Sequence, residues 1–293
     1  IQCDYIYGLS EAIRDGVCRV PNIIAIDNDN ILVTENEESK SYGSFKELLT
    51  HSIFPYHELI TNEQLILHML NRANNKLEQI RETNCDAGGL IVASSVEHAR
   101  AISQLVSTHL KESATVITYQ EEEPTSLIHQ YRYCNSKWVI SVGMISEGTN
   151  IPRLQVCCHL TNIKTEMHYR QILGRALRRT DAPYQEAFLF MPAEPKLIEY
   201  ALRVANDVPN EADVVKFEKM SCHFKANNNS AEKTKTKAKL KPKQELGISD
   251  FSDTNILQHD INDNSCLLTA TYEGMIGIFG RFKEEALELE LTF

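Results

Sequence analysis

Residues 138–160 read Trp138-Val139-Ile140-Ser141-Val142-Gly143-Met144-Ile145-Ser146-Glu147-Gly148-Thr149-Asn150-Ile151-Pro152-Arg153-Leu154-Gln155-Val156-Cys157-Cys158-His159-Leu160. Two apolar runs, Trp138–Val142 and Val156–Leu160, flank a loop that holds two glycines. Neither run alternates polar with apolar residues, so each predicts a strand buried on both faces, as in a parallel sheet. Gly143 and Gly148 permit tight turns and a close approach of backbone to a phosphate or ribose. The loop leaves a predicted strand at the carboxyl edge, where α/β sheets place ligands. Taken alone, it is equally well a strand-to-helix connection that needs glycine for its turns.

Runs of the same kind lie to either side: Leu90-Ile91-Val92-Ala93, Thr115-Val116-Ile117-Thr118 and Ala187-Phe188-Leu189-Phe190. Between the first two, Ala99, Ile102, Leu105, Val106 and Leu110 predict a helix with one buried face. From Thr61, read as a cap, Leu65, Ile66, Met69, Leu70, Ala73, Leu77 and Ile80 recur at helical spacing and predict a long amphipathic helix. Strands alternating with helices predict an α/β layer over residues 51–205.

Residues 1–50 read as a connector with a helix at Ser10–Arg14 and a β-hairpin. The hairpin would join Ile23–Ile26 to Ile31–Val33 through the turn-rich Asp27-Asn28-Asp29-Asn30. Beyond a helical Leu197–Val204, residues 206–245 read as a helical and Lys-rich linker. Within it, Lys233–Lys243 is too polar and self-repelling to bury anything; it reads as a spacer or as an electrostatic tether for nucleic acid. Residues 246–293, with Leu267–Tyr272 and Leu287–Leu291 around Gly274, Gly277 and Gly280, predict a small β-rich accessory domain.

A chain of 293 residues, 42% hydrophobic and 24% charged, suffices for one sizeable core and a satellite. No apolar run approaches the roughly 20 residues that span a bilayer, and Ile1-Gln2-Cys3-Asp4 has neither a basic flank nor a signal core. The eight cysteines form no C-x-x-C pair and no regular framework. A cytoplasmic protein with no membrane partner is the expectation. Cys157, Cys158 and His159 point to alternating faces of a strand and do not converge on one ion, so no metal site is expected. A net charge of -10 would disfavour nucleic acid if it were evenly spread. It is not: from Tyr131 to Arg179, Arg132, Lys137, Arg153, Lys164, Arg170, Arg175, Arg178 and Arg179 face only Glu147 and Glu166.

That stretch ends in Gln171-Ile172-Leu173-Gly174-Arg175-Ala176-Leu177-Arg178-Arg179, predicted as helix. Arg175 and Arg178, three apart, would project from one face, and two adjacent guanidinium groups suit phosphate oxygens. A solvated basic face is the plainer alternative. Gly174 weighs against it: glycine inside a helix costs about 1 kcal/mol relative to alanine, which predicts a close backbone approach.

The order of strand, S-x-G-x-x-x-E-G-x-N-x-P loop, strand and Q-x-x-G-R-x-x-R helix resembles motifs V and VI of superfamily 2 helicases of the DEAD/DEAH type. Gly88-Gly89-Leu90-Ile91-Val92-Ala93-Ser94-Ser95 resembles motif IV, and Leu127–Arg132 the helix that follows it. Tyr7–Gly16 is similar to the segment leaving the first motor domain in the branch related to restriction-enzyme and repair helicases. The resemblance covers about Tyr5 to Pro192.

What the resemblance implies is a RecA-like parallel sheet with helices on both faces, forming the C-terminal motor domain, with ATP in a cleft between two such domains. Arg175 and Arg178 would be arginine fingers reaching the γ-phosphate. Gln171, Gly174, Glu147, Gly148 and Asn150 would shape the nucleotide side, with Glu147 and Gly148 coupling it to the nucleic-acid groove. Ser94, Ser95, Arg132 and Thr149 would contact strand phosphates, DNA being favoured over RNA. Many relatives carry aspartate where this chain has Asn150; asparagine keeps an acceptor for the ribose without the charge.

ATP and Mg2+ would be held mainly by the N-terminal RecA-like domain of the same parent chain. No glycine here is followed by lysine and no aspartate by glutamate, so neither a phosphate-cradling loop nor an acidic metal box is present. The expectation is half of a helicase or translocase, inactive alone. Two alternatives stay open: a binding scaffold derived from a helicase domain without ATPase activity, and an unrelated α/β enzyme whose arginines hold a phosphorylated metabolite.

Overall fold

The apolar runs at 90–93, 115–118, 138–142, 156–160 and 187–190 each form a strand, and all five enter one parallel sheet. The computed structural model describes residues 7–35, 38–143, 150–182, 185–208, 213–220 and 224–227, all within one compact unit, Ile1–Glu232. Glu147, Gly148 and Thr149, the lysine run and the predicted domain at 246–293 lie outside the described residues.

In chain order the elements begin with α1 (Leu9–Arg14), β1 (Val20–Asp27), β2 (Ile31–Glu35), β3 (Glu38–Tyr42), α2 (Phe45–His51), α3 (Tyr56–Thr61) and α4 (Glu63–Arg81). Next come β4 (Gly88–Ala93), α5 (Val96–Leu105), β5 (Ala114–Ile117), α6 (Pro124–Tyr133) and β6 (Trp138–Ser141). The rest are β7 (Leu154–Leu160), α7 (Glu166–Ala176), β8 (Glu186–Pro192), α8 (Pro195–Asn206), β9 (Val215–Lys219) and β10 (Phe224–Asn227). The main sheet runs β5-β6-β4-β7-β8-β1-β9, and each neighbouring pair is parallel.

Helices cover both faces. Val156 and Phe188 are in register across β7 and β8, and Lys76 of α4 lies over the Phe188 ring at 4.4 Å, so α4 takes that face. Cys157 and His159 point the other way, toward α7: the Cys157 Sγ meets Ile172 O at 4.0 Å, and the His159 ring lies 6.3 Å from that of Tyr169. All seven positions of α4 that the spacing predicted are buried. Its cap is Asn62 rather than Thr61, with the Asn62 Oδ1 accepting from the amides of Gln64 and Leu65, whereas Thr61 closes α3. None of the described helices is long and apolar enough to cross a membrane.

The N-terminal fifty residues differ from the expectation. β1 does not pair with β2; it lies between β8 and β9 in the parallel sheet. Six consecutive buried residues from Pro21 to Ile26 explain this, because a strand buried on both faces belongs inside a covered sheet. β2 instead buries Ile31 and Val33 while exposing Leu32 and Thr34, pairing antiparallel with β3 and parallel with β10. The turn-rich residues form the link: Asp27 Oδ1 accepts from the amides of Asn28 and Phe45, and Asn28 Oδ1 from that of Asn30. The α/β layer therefore recruits β1 and β9 from outside the predicted 51–205 span. Likewise β9 and β10 are strands in a stretch expected to be helical linker.

Candidate functional site

The predicted helix through Arg179 ends at Ala176, between the two arginines of interest. A longer helix would bond the carbonyls of Ala176 and Leu177 to amides four residues on. Here Leu177 O accepts instead from the Arg19 amide at 2.7 Å, and Ala176 O from the Arg19 Nη1 at 3.0 Å. Arg178 consequently leaves helical geometry and forms an isolated antiparallel bridge with Cys18. Arg175 stays in the last turn of α7, half-buried, so the two do not share one helix face. A Cβ added to Gly174 would meet nothing within 4 Å, so the close approach expected of it is not found among the described residues.

The strands of the main sheet are all parallel, which places these groups by edge. Asn150 and Pro152 precede β7, Arg178 precedes β8, and Arg132 ends α6 before β6, so they share the amino edge of the sheet. Ser141 ends β6 and Gly143 follows it at the opposite edge, and the loop expected to sit at the carboxyl edge thus ends at the other one. Arg178 Nη1 donates to Asn150 Oδ1 at 2.5 Å, joining the two motifs directly. Burial, followed by the charge of Arg132, lowers the pKa of Arg178. The charge of Arg175 reaches Cys157 on β7, where it opposes the burial that pushes the thiol up to about 12. Gln171 is half-buried on α7. A cleft of about 690 Å³ opens beside Arg132 and Pro152, and at its rim the Tyr133 ring is 71% exposed.

Arg132 thus shares the amino edge with Arg178 and not the edge that holds Ser94 and Ser95, with which it was expected to bind strand phosphates. The two serines follow β4 at the carboxyl edge and are committed locally. Ser95 Oγ caps α5 by accepting the His98 amide at 3.1 Å, while the Ser94 amide donates to His98 Nδ1 at 3.2 Å. Burial, with a contribution from His57, pushes the pKa of His98 down to about 4, which keeps the ring neutral at pH 7, as accepting the Ser94 amide requires.

The basic stretch is not a continuous positive surface. Lys137 pairs with Glu78 and Glu112, Lys164 with Glu194, and Arg170 with Glu166 and Asp207, so acids that lie mostly outside the stretch neutralise much of it. Arg153 is buried: it donates to Tyr131 O, Asp86 O and Ser136 O, and its guanidinium lies 4.3 Å over the Tyr131 ring.

Sequence reasoning missed Arg19, which is fully buried. Its Nη1 donates to Pro152 O (3.2 Å), Leu154 O (2.7 Å) and Ala176 O (3.0 Å), and its Nη2 to Thr180 Oγ1 (3.2 Å). Burial, and then the charge of Arg179, lowers its pKa to about 10. The available signal was an arginine directly abutting a run that the sheet must bury. No cluster of three His, Cys, Asp or Glu side chains that could hold a metal ion occurs among the described residues.

No protein-family model matches the chain. An uncharacterised protein of Mycobacterium tuberculosis H37Rv is 28% identical over 276 residues, covering 93% of this chain and 45% of that protein. One from Mycobacterium leprae is 33% identical over 133 residues, covering 45% and 22%. The chain thus spans about half the length of the first of these curated relatives. Among solved structures, a fragment of an HsdR subunit of a type I restriction enzyme from Vibrio vulnificus YJ016 matches with a TM-score of 0.51 and 12% identity, covering 77% of this chain and 40% of that one. Domain 2 of the DEAD-box helicase Mss116p, bound to an RNA duplex, matches at 0.42 and 9%, covering 69% and 64%. The parallel sheet, its flanking helices and the likeness to the HsdR fragment give the chain a RecA-like fold of the kind found in helicase C-terminal domains.

Proposed function

We propose that this chain supplies the second half of an ATP-driven nucleic-acid motor, a helicase or translocase acting on DNA in the cytoplasm. The observation that carries the reading is at the amino edge, where Asn150 accepts from Arg178 and Arg132 stands on the same edge of the sheet. Like charges placed together favour an anion between them, and planar guanidinium forks fit phosphate oxygens. The donor set is cationic: it suits phosphate and repels Mg2+. The metal, and most of the grip on ATP, then falls to an N-terminal RecA-like domain of the parent chain. Arg175 and Arg178 act on the charge that develops at the γ-phosphate in the transition state, a contribution on the order of 10³ to 10⁵ in rate. Gln171 and Gly174 lie along the same helix, and Glu147 and Gly148 belong to the loop that ends at Asn150. Ser94 and Ser95, at the carboxyl edge, and Thr149, which precedes Asn150 in the chain, contribute contacts to strand phosphates.

The test is Arg178→Ala in the full-length parent. The expected result is a fall in kcat of about 10³ with an unchanged circular dichroism spectrum. Unchanged kcat, or collapse of the domain, would overturn the assignment.

A further inference from the structure

The segments Gly16–Arg19 and Ala176–Thr180 are laced together. Cys18 bridges Arg178, the Arg19 amide binds Leu177 O, and Arg179 Nη1 donates to Gly16 O at 2.6 Å. Gly16 has φ +70°, and an added Cβ there would lie 2.6 Å from Arg179 Nη1. The centre of this lacing is the Arg19 side chain. Its acceptors flank both partners of the candidate site: Ala176 and Thr180 stand two residues either side of Arg178, while Pro152 and Leu154 lie just beyond Asn150.

All of its recorded acceptors are carbonyls and one hydroxyl, none of them charged, and its Nε has no hydrogen-bond partner among the described residues. A buried cation held this way is a poor device for stability, because an apolar side chain of similar volume avoids the desolvation cost. The negative end of the α7 dipole at Ala176 offsets part of that cost and also fixes where the cation sits. What the arrangement secures is geometry: one rigid fork sets the spacing of two chain segments that are distant in sequence.

We infer that Arg19 is a positioning residue of the arginine site, holding Arg178 and Asn150 in register from below without touching the nucleotide. The inference deepens the motor reading and rests on it for its kinetic consequence. It also ties the site mechanically to α1, because the chain passes from α1 through Gly16 and Arg19 into β1.

The experiment is a double-mutant cycle in the full-length parent, with Arg19→Met, Arg178→Ala and the pair. Arg19→Met should lower kcat by about tenfold while KM for ATP and for nucleic acid stays within about twofold, and Arg19→Lys, which keeps the charge and some donors, should recover part of the loss. In the Arg178→Ala background the same change should alter kcat by less than about twofold, because its effect is transmitted through Arg178. An equal fold-loss in both backgrounds overturns the inference, since a merely structural lesion would multiply. If Arg19→Met does not fold, Arg19→Lys carries the cycle.

Hydrogen exchange on the same proteins separates this inference from the motor reading. Amides of residues 174–180 should exchange faster in the Arg19 variants while those of β4 do not. Unchanged protection at 174–180 overturns the positioning role whatever the ATPase result. Local loosening with no effect of Arg178→Ala on kcat instead overturns the motor reading and leaves Arg19 its structural hold.

Discussion

At the residue scale, His159 is a polar side chain in a place made for an apolar one. It is fully buried on β7 between the rings of His168 and Tyr169, and neither of its ring nitrogens has a hydrogen-bond partner among the described residues. Burial, followed by the charge of His168, lowers its pKa from 6.5 to about 3. Between those values the unfolded chain binds the proton and the folded chain does not, so folding stability falls as pH drops from about 6.5 to about 3. For one such group the loss between about pH 7 and about pH 5 is on the order of 2 kcal/mol. His159→Phe keeps the ring and removes both orphaned nitrogens, so it should leave stability at neutral pH equal or higher and flatten the acid limb by that amount. Urea midpoints at the two pH values check this, and an acid limb as steep as that of the wild type would refute it.

The site was partly legible at this scale. The candidate fingers Arg175 and Arg178 stood out by their spacing, and Asn150 by its motif, yet the union of Arg178 with Asn150 depends on where α7 stops. Nothing in the local sequence stops it there: the agent is Arg19, more than 150 positions away. Arg153 was misread for a similar reason, since a charge count along the chain does not see three carbonyls converging from other segments.

At the scale of elements, periodicity served well where a strand or helix has one kind of neighbour. The stripe of α4 and the runs of β4 to β8 are local patterns, and the structure keeps them. Pairing partners are not local. β1 was expected to fold back on β2 across four turn-forming residues, but it pairs with β8 more than 160 positions away because only the sheet interior can cover both its faces. A closer approach decides the register of β4 on β6: Gly89 lies opposite Trp138, and a Cβ at Gly89 would come within 2.2 Å of the indole. The indole is pinned from its far side, with Nε1 donating to Asn74 Oδ1 of α4 at 3.0 Å, so it cannot yield easily. Gly89→Ala should therefore destabilise the domain by about 1–3 kcal/mol through overpacking. Trp138 is the only tryptophan in the chain, and its fluorescence reports the change directly. A lower urea midpoint with a shifted native emission maximum is expected; an unchanged midpoint would mean that the sheet absorbs the methyl group at no cost.

At the scale of the whole molecule, the net charge of -10 and the arginine group at one sheet edge act in opposite directions. The bulk of the chain repels polyanions, and the lysines and arginines that promised a basic surface are largely answered by acids or buried. A site that stabilises only developing charge accelerates nothing until another surface brings the nucleotide, the metal and the attacking water to it. On this argument the isolated chain should hydrolyse ATP no faster than buffer, with or without DNA, and should bind single-stranded oligonucleotides weakly. The full-length parent should show turnover that rises on adding DNA. Phosphate release from the two proteins side by side, with single-stranded and duplex DNA and RNA as additives, reads all of this at once. Robust turnover by the isolated chain would place a complete catalytic site within these residues, against the half-motor reading. An inert parent with every nucleic acid would leave the RecA-like fold in service as a scaffold, its arginines holding an anion that is never cleaved.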